Sequence, residues 1–259
     1  MLAAREVHPA VQPPQPSVYL EELTWTELRD AIRSGKTTVI VPIGGTEQSG
    51  PDIALGKHNV RVKVLSGMIA QGLGNTIVAP VVAYVPEGGV NPPTSHMRYP
   101  GTITVTDEAF EKTLEYAALS MKLHGFRNIV MIGDHGSYQH MEKAVAAKLN
   151  HEWAGTAVRV MAVEEYYLAS TEGYAEILKA HGYRPDEIGK HAGLADASLQ
   201  LAVAPEMVRA SPMRSGADRS NGDGVEGDPR RASAELGQLG VNEIVNTTIA
   251  AIRKNAAQH

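Results

Sequence analysis

Glu47, Ser49, Asp52 and His58 crowd into one glycine-rich stretch directly after the β-branched run Thr38–Ile43. A second polar pair, Asp134-His135, follows the apolar run over 128–132, and a third group lies in the segment HAGLADAS at 191–198. The chain has ten His and no Cys, so thiolate nucleophiles, disulfides and Cys-ligated zinc are excluded. Any metal must sit on His, Asp or Glu. Glu47, His58 and His135 form a two-His-one-carboxylate set, with Asp52, Asp134 or Asp196 as candidates for a further ligand. Nitrogen and oxygen ligands of this kind suit Zn²⁺, Mn²⁺ or Fe²⁺. Spacing alone favours the plainer alternative, that these loop residues are solvated or hydrogen-bonded.

His191 and Asp196 admit two readings as well. They could relay a proton beside a metal or substrate, or Asp196 could simply complement the dipole of a helix that starts there. His96 and Arg98, in a long loop, could contact substrate or a neighbouring subunit. Ser137 and Tyr138, directly after His135, join His96 as candidate substrate contacts. The Gly-rich segment at 224–233 reads better as a structural turn, with Pro229 at the first helical position, than as an anion site. Neither a GxSxG elbow nor a GxGxxG dinucleotide turn is present.

Parallel α/β sheets place such clusters just beyond strand ends, and the periodicity fits that frame. Helical spacing over 20–34 precedes the strand Thr38–Ile43. A helix over 59–73 stops at glycine, and a strand follows over 76–82. Residues 84–102 are too rich in Pro and Gly for regular structure, and a loop of that length in a compact domain is usually functional. A helix over 107–124, a strand over 128–132, a helix over 137–153 and a strand over 156–163 follow. Helical patterns over 164–181 and 230–254 complete the chain. Strands alternating with helices predict a mainly parallel sheet covered on both faces. The 259 residues suffice for one domain over 19–259, preceded by an extended Pro-rich arm over 1–18.

With 24 basic and 29 acidic residues and no basic block, the chain offers no nucleic-acid surface. No apolar stretch approaches the roughly 20 residues of a membrane span. The N-terminal stretch lacks the apolar core of a signal peptide. The expectation is therefore cytoplasmic, or periplasmic if a signal segment once preceded it.

Five segments, VPIGGTEQSGPDIALGKHN, TSHMRYPGTIT, GDHG, HAGLADAS and GVEGDPRRASAELG, together resemble the creatininase (creatinine amidohydrolase) family in its own order. The resemblance implies a three-layer α/β/α domain, usually in hexamers, with a metal site at the carboxyl edge of the sheet. It also implies hydrolysis of cyclic or other non-peptide amides. The family's first segment runs Glu-x-His-Gly-x-His-Leu-Pro to an Asp eleven residues after the Glu. Here Glu47 is kept, Ser49 and Asp52 stand at the two His positions, and His58 stands at the Asp. His135 is kept, but Ser137 replaces a Glu found in creatininase itself, and Asp196 replaces the Glu after His191. The family's Asp bridges two metals, whereas a neutral imidazole has one lone pair to offer. The expectation is a single ion, Zn or Mn or else Fe, on Glu47, His58 and His135, with His191 or Asp196 moving the proton. The expected activity is hydrolysis of a small cyclic amide. The alternatives are a lactone or a silent ligand-binding relative.

Overall fold

The computed structural model describes residues 17–209 and 222–257. The expected arm, but for its last two residues, and positions 214–221 of the Gly-rich loop lie outside the described residues. Four parallel strands, β1 (Thr38–Ile43), β2 (Thr76–Val78), β3 (Asn128–Gly133) and β4 (Arg159–Ala162), form a sheet in the order β2-β1-β3-β4. Val39 lies opposite Ile77 on one side and Ile129 on the other, and Val130 opposite Met161.

Alternation along β1 sorts the core. Ile40, with Val130, Ile132 and Met161, faces α2 (Lys57–Leu73) and the C-terminal helix. Val39, Val41 and Ile43 face α3 (Asp107–His124) and α4 (Gln139–Glu152). Every residue of β1 is buried, as a strand covered on both faces must be. The expected three-layer α/β/α arrangement is what the structure has. Among the described residues, no helix is long and apolar enough to cross a membrane.

Local chemistry sets most of the boundaries. Thr24 caps α1 (Trp25–Arg33) in a capping box, its Oγ1 accepting from the Glu27 N–H while the Glu27 carboxylate accepts from the Thr24 N–H at 2.7 Å. Thr106 caps α3, which ends at Gly125 with φ 103°. The helical region expected over 164–181 is divided into α5 (Glu165–Leu168), a wide turn at Ala169–Gly173 with π-type hydrogen bonding, and α6 (Tyr174–Ala180). Then come α7 (Pro185–Ile188), α8 (Leu194–Val203) and α9 (Ala234–Ala257). The helix expected from 59 begins two residues earlier, which places Lys57 and His58 in its first turn. That shift matters because β1 and β3 diverge in their connections, leaving a crevice at their carboxyl ends. The first turn of α2 opens into it.

Candidate functional site

Glu47 follows β1 and is fully buried. Its two oxygens face different surroundings. Oε1 lies 2.7 Å from His58 Nε2 and 3.6 Å from Lys57 Nζ. Oε2 lies 3.1 Å from His96 Nε2 and 3.3 Å from His135 Nε2, yet makes no hydrogen bond. Glu87, also buried, has both carboxylate oxygens without partners, and its Oε2 is 3.8 Å from His135 Nε2. One potential ligand atom from each of Glu47, Glu87, His96 and His135 falls within 4.8 Å of all the others. Three unpaired buried carboxylate oxygens are costly. A divalent cation among them and the two imidazoles would satisfy them, so the residues fit such an ion.

His135 is held through Nδ1, which accepts from the Ser137 N–H at 3.2 Å and lies 2.9 Å from Ser137 Oγ, itself 2.9 Å from the Pro86 carbonyl. Accepting there leaves the ring proton on Nε2, facing the cluster. Ligation through Nε2 therefore requires the proton to shift to Nδ1, with Ser137 Oγ as its acceptor. His96 is held differently. The Gln48 side-chain oxygen accepts from the Gly50 N–H at 2.9 Å, which turns its NH₂ toward His96 Nδ1 at 3.0 Å. Ligation through His96 Nε2 therefore requires the carboxamide to turn over and accept from Nδ1–H.

His58, expected as a ligand, has no lone pair to give. Nδ1 lies 2.5 Å from Asp134 Oδ2 and Nε2 lies 2.7 Å from Glu47 Oε1. Burial and Lys57 favour the neutral ring, but Glu47 and Asp134 outweigh them and raise its pKa. The imidazolium donates to both carboxylates. Asp134 is likewise fully engaged, by His58, by Arg61 and by the Tyr166 hydroxyl at 2.6 Å. Asp196 pairs with Lys57 at 2.9 Å and Arg61 at 2.8 Å and accepts from the Ala192 N–H. Burial alone would raise its pKa, but these cations hold it well below the carboxylate range, which makes it a poor base. Asp52 is outside the converging group, its carbonyl accepting from the Arg209 N–H.

His191 keeps one nitrogen free. Nε2–H donates to the Gln48 carbonyl at 2.8 Å, and Nδ1 stands 3.7 Å from Glu47 Oε1. Burial, then Lys57, push its pKa down to about 3, so the ring is neutral. Tyr138 is fully buried and cannot touch substrate. Its hydroxyl donates to the Gly44 carbonyl and accepts from the His135 N–H, tying the two strand-end loops together. Ser137 contacts His135, and His96, expected as a substrate contact, stands with Glu47, Glu87 and His135 in the converging group.

Sequence reasoning missed Glu87, Lys57 and Arg61. The one local signal for Glu87 was its place in the long Pro/Gly loop, opposite a glycine that has to be one. Gly45 has φ 152°, and a Cβ there would sit 2.6 Å from Glu87 Oε1. Two cavities meet at the site. One of about 910 Å³ is lined by Lys57, Arg61, His135, Tyr167, His191 and Asp196 among others. The second, about 530 Å³, is reached past Gln48, His96, Arg98, Tyr99 and His191.

Known proteins resemble the chain over most of its length. The profile of the creatininase family, described as creatinine amidohydrolase, matches residues 21–252. The chain is 28% identical over 215 residues to the mycofactocin precursor peptide peptidase of Mycolicibacterium smegmatis, covering 80% of this chain and 81% of that one. It is 24% identical over 200 residues to the creatinine amidohydrolase of Pseudomonas putida, 74% of each. To the 3-dehydro-scyllo-inosose hydrolase of Thermotoga maritima it is 28% identical over 120 residues, 46% of this chain and 36% of that one. A crystal structure of creatinine amidohydrolase (creatininase) superposes with TM-score 0.73 at 21% identity, covering 93% of this chain and 98% of that one. A structure titled "Creatininase Mn" gives 0.72 at 21% identity, covering 93% and 99%. At such identity these structural matches speak for the fold alone.

Proposed function

The chain belongs to the creatininase family, and from that premise and the site's geometry we propose a metal-dependent hydrolase of a C–N bond in a small molecule. The bond is an amide, and a cyclic amide is the first candidate. The observation that carries this is the set of unpaired buried oxygens on Glu47 and Glu87 facing His96 and His135. Glu47, Glu87, His96 and His135 would hold one Zn or Mn ion per chain. Bound there, the ion would acidify a water and polarise the scissile carbonyl.

The remaining residues supply orientation and proton handling. His191 is a weak base at rest, its pKa near 3, but its Nδ1 is open. It would take the proton of the attacking water only as negative charge developing on the substrate raises its basicity, and would return it to the leaving nitrogen. Asp196 acts through Lys57 and Arg61, fixing both cations, and does not take the proton itself. Lys57 and Arg61 line the larger cavity and favour a substrate that develops negative charge there.

A peptide amide is the second reading. It is supported by the peptidase relatives and by a cavity of about 910 Å³, ample for more than a small ring. An exposed apolar row on α3, Tyr116, Leu119 and Leu123, supports a homo-oligomer, with a hexamer as the family's usual form.

The test is a panel of cyclic amides, lactones and short peptides with and without Mn²⁺ or Zn²⁺, alongside His135→Ala. Metal-dependent amide cleavage lost in the variant is expected. Turnover indifferent to both metal and variant rejects the mechanism.

A further inference from the structure

The site carries more fixed cationic charge than a mononuclear hydrolase needs for its ligands alone. Lys57 is 1% exposed, yet it is the first residue of α2, where the helix dipole disfavours a cation. His58 and Arg61 follow in the same turn or just beyond it. All three are balanced by carboxylates that reach in from other elements: Glu47 after β1, Asp134 after β3 and Asp196 in α8. Such a local conflict, resolved only by tertiary partners, is expected at functional sites.

Glu47 divides these charges into two positions. Oε2 looks toward His96 and His135, the side that suits an ion. Oε1 looks toward His58 at 2.7 Å and Lys57 at 3.6 Å. A carboxylate can bridge two cations, one on each oxygen, and Glu47 is set out in that way. Beyond Lys57, Asp196 takes the place of a further anionic ligand at 2.9 Å from Nζ. Next to Glu47, the Ser49 hydroxyl is buried without any hydrogen-bond partner. A hydroxyl there offers little to a metal where the family's pattern carries a His.

We propose that the Lys57 ammonium is the site's second cation. It is held between Glu47 and Asp196 and backed by Arg61, in the position a second metal ion would otherwise take. Lys57 has three N–H donors, of which Asp196 engages one at 2.9 Å, while Glu47 at 3.6 Å lies beyond hydrogen-bond reach. Two donors remain, and Lys57 is among the residues that line the larger cavity. These donors receive the substrate oxygen on which negative charge develops.

This inference rests on the metal-hydrolase reading, and the experiment separates the two. Mn²⁺ is titrated into metal-stripped full-length protein, with bound metal counted by equilibrium dialysis and elemental analysis. The wild type, Lys57→Ala, Lys57→Ser and Lys57→Arg are compared. The wild type and Lys57→Arg are expected to take one equivalent. Lys57→Ala and Lys57→Ser are expected to take a second, weaker equivalent between Glu47 and Asp196, with a further rise in melting temperature as it fills. Two equivalents in the wild type overturn the inference and leave the metal reading standing, even if no variant folds. One equivalent throughout also overturns it. No bound metal in any protein removes the metal reading and the inference with it.

Discussion

Loading the site with metal should expel a proton from Glu87. In the metal-free protein, burial and the neighbouring Glu47 charge raise this carboxyl from 4.5 to about 8. At pH 7 such a group is about 90% protonated, and a ligating carboxylate must be ionised. On binding of one Zn²⁺ or Mn²⁺, Glu87 should therefore contribute about 0.9 proton at pH 7 and about 0.1 at pH 9, beside any proton lost by the metal-bound water. His191, at about 3, has no proton to lose in this range, and burial lowers the His96 pKa. Isothermal titration calorimetry in two buffers of different ionisation enthalpy reads the number directly. Glu87→Gln should lower the release at pH 7 by about 0.9 proton. The same group sets a stability trend. Its folded pKa exceeds its unfolded one, so the folded state binds the extra proton and the metal-free protein loses stability as pH rises from 4.5 to about 8. At about 1.4 kcal/mol per pH unit the interval bounds the loss at about 5 kcal/mol. Proton release at pH 7 that persists unchanged in Glu87→Gln would refute this assignment of Glu87.

Other perturbations probe the neighbours. Arg61→Met leaves Asp134 and Asp196 short of a buried counter-charge and should cost about 3–5 kcal/mol in denaturant unfolding, partly regained by adding Asp134→Asn. Gln48→Glu presents an acceptor to His96 Nδ1–H and should tighten metal binding about tenfold, measured by competition with a chelator. Tyr138→Phe removes the tie between the β1 and β3 loops. It should cost about 1–2 kcal/mol and lower kcat with KM unchanged, since the side chain never meets substrate. Leu123→Glu, which charges the exposed row on α3, should lower the mass measured by light scattering if that row is an oligomer contact.

How far the sequence could be read follows from the range of the interactions involved. The β1 run and the glycine stop of α2 are local signals, and each stands where expected. The crevice between the ends of β1 and β3 follows from strand alternation, so Glu47 and His135 could be placed on its walls in advance. The proposed ligand set is non-local. Glu87 and His96 arrive from a loop whose Pro/Gly composition carries no periodicity to say where it folds back. His58 shows the same non-local control. Its spacing from Glu47 suits a ligand, but Asp134 claims its second nitrogen from another strand end. Lys57 and Arg61 carry no local signal of burial, because the carboxylate that pairs with both, Asp196, comes from a helix far along the chain.

The central claim is that one ion sits on Glu47, Glu87, His96 and His135, and anomalous diffraction from crystals grown with Mn²⁺ or Zn²⁺ tests it most directly. A single peak at about 2.0–2.3 Å from one atom of each of these four residues is predicted. A peak bound by His58, or two peaks bridged by Glu47, would contradict it.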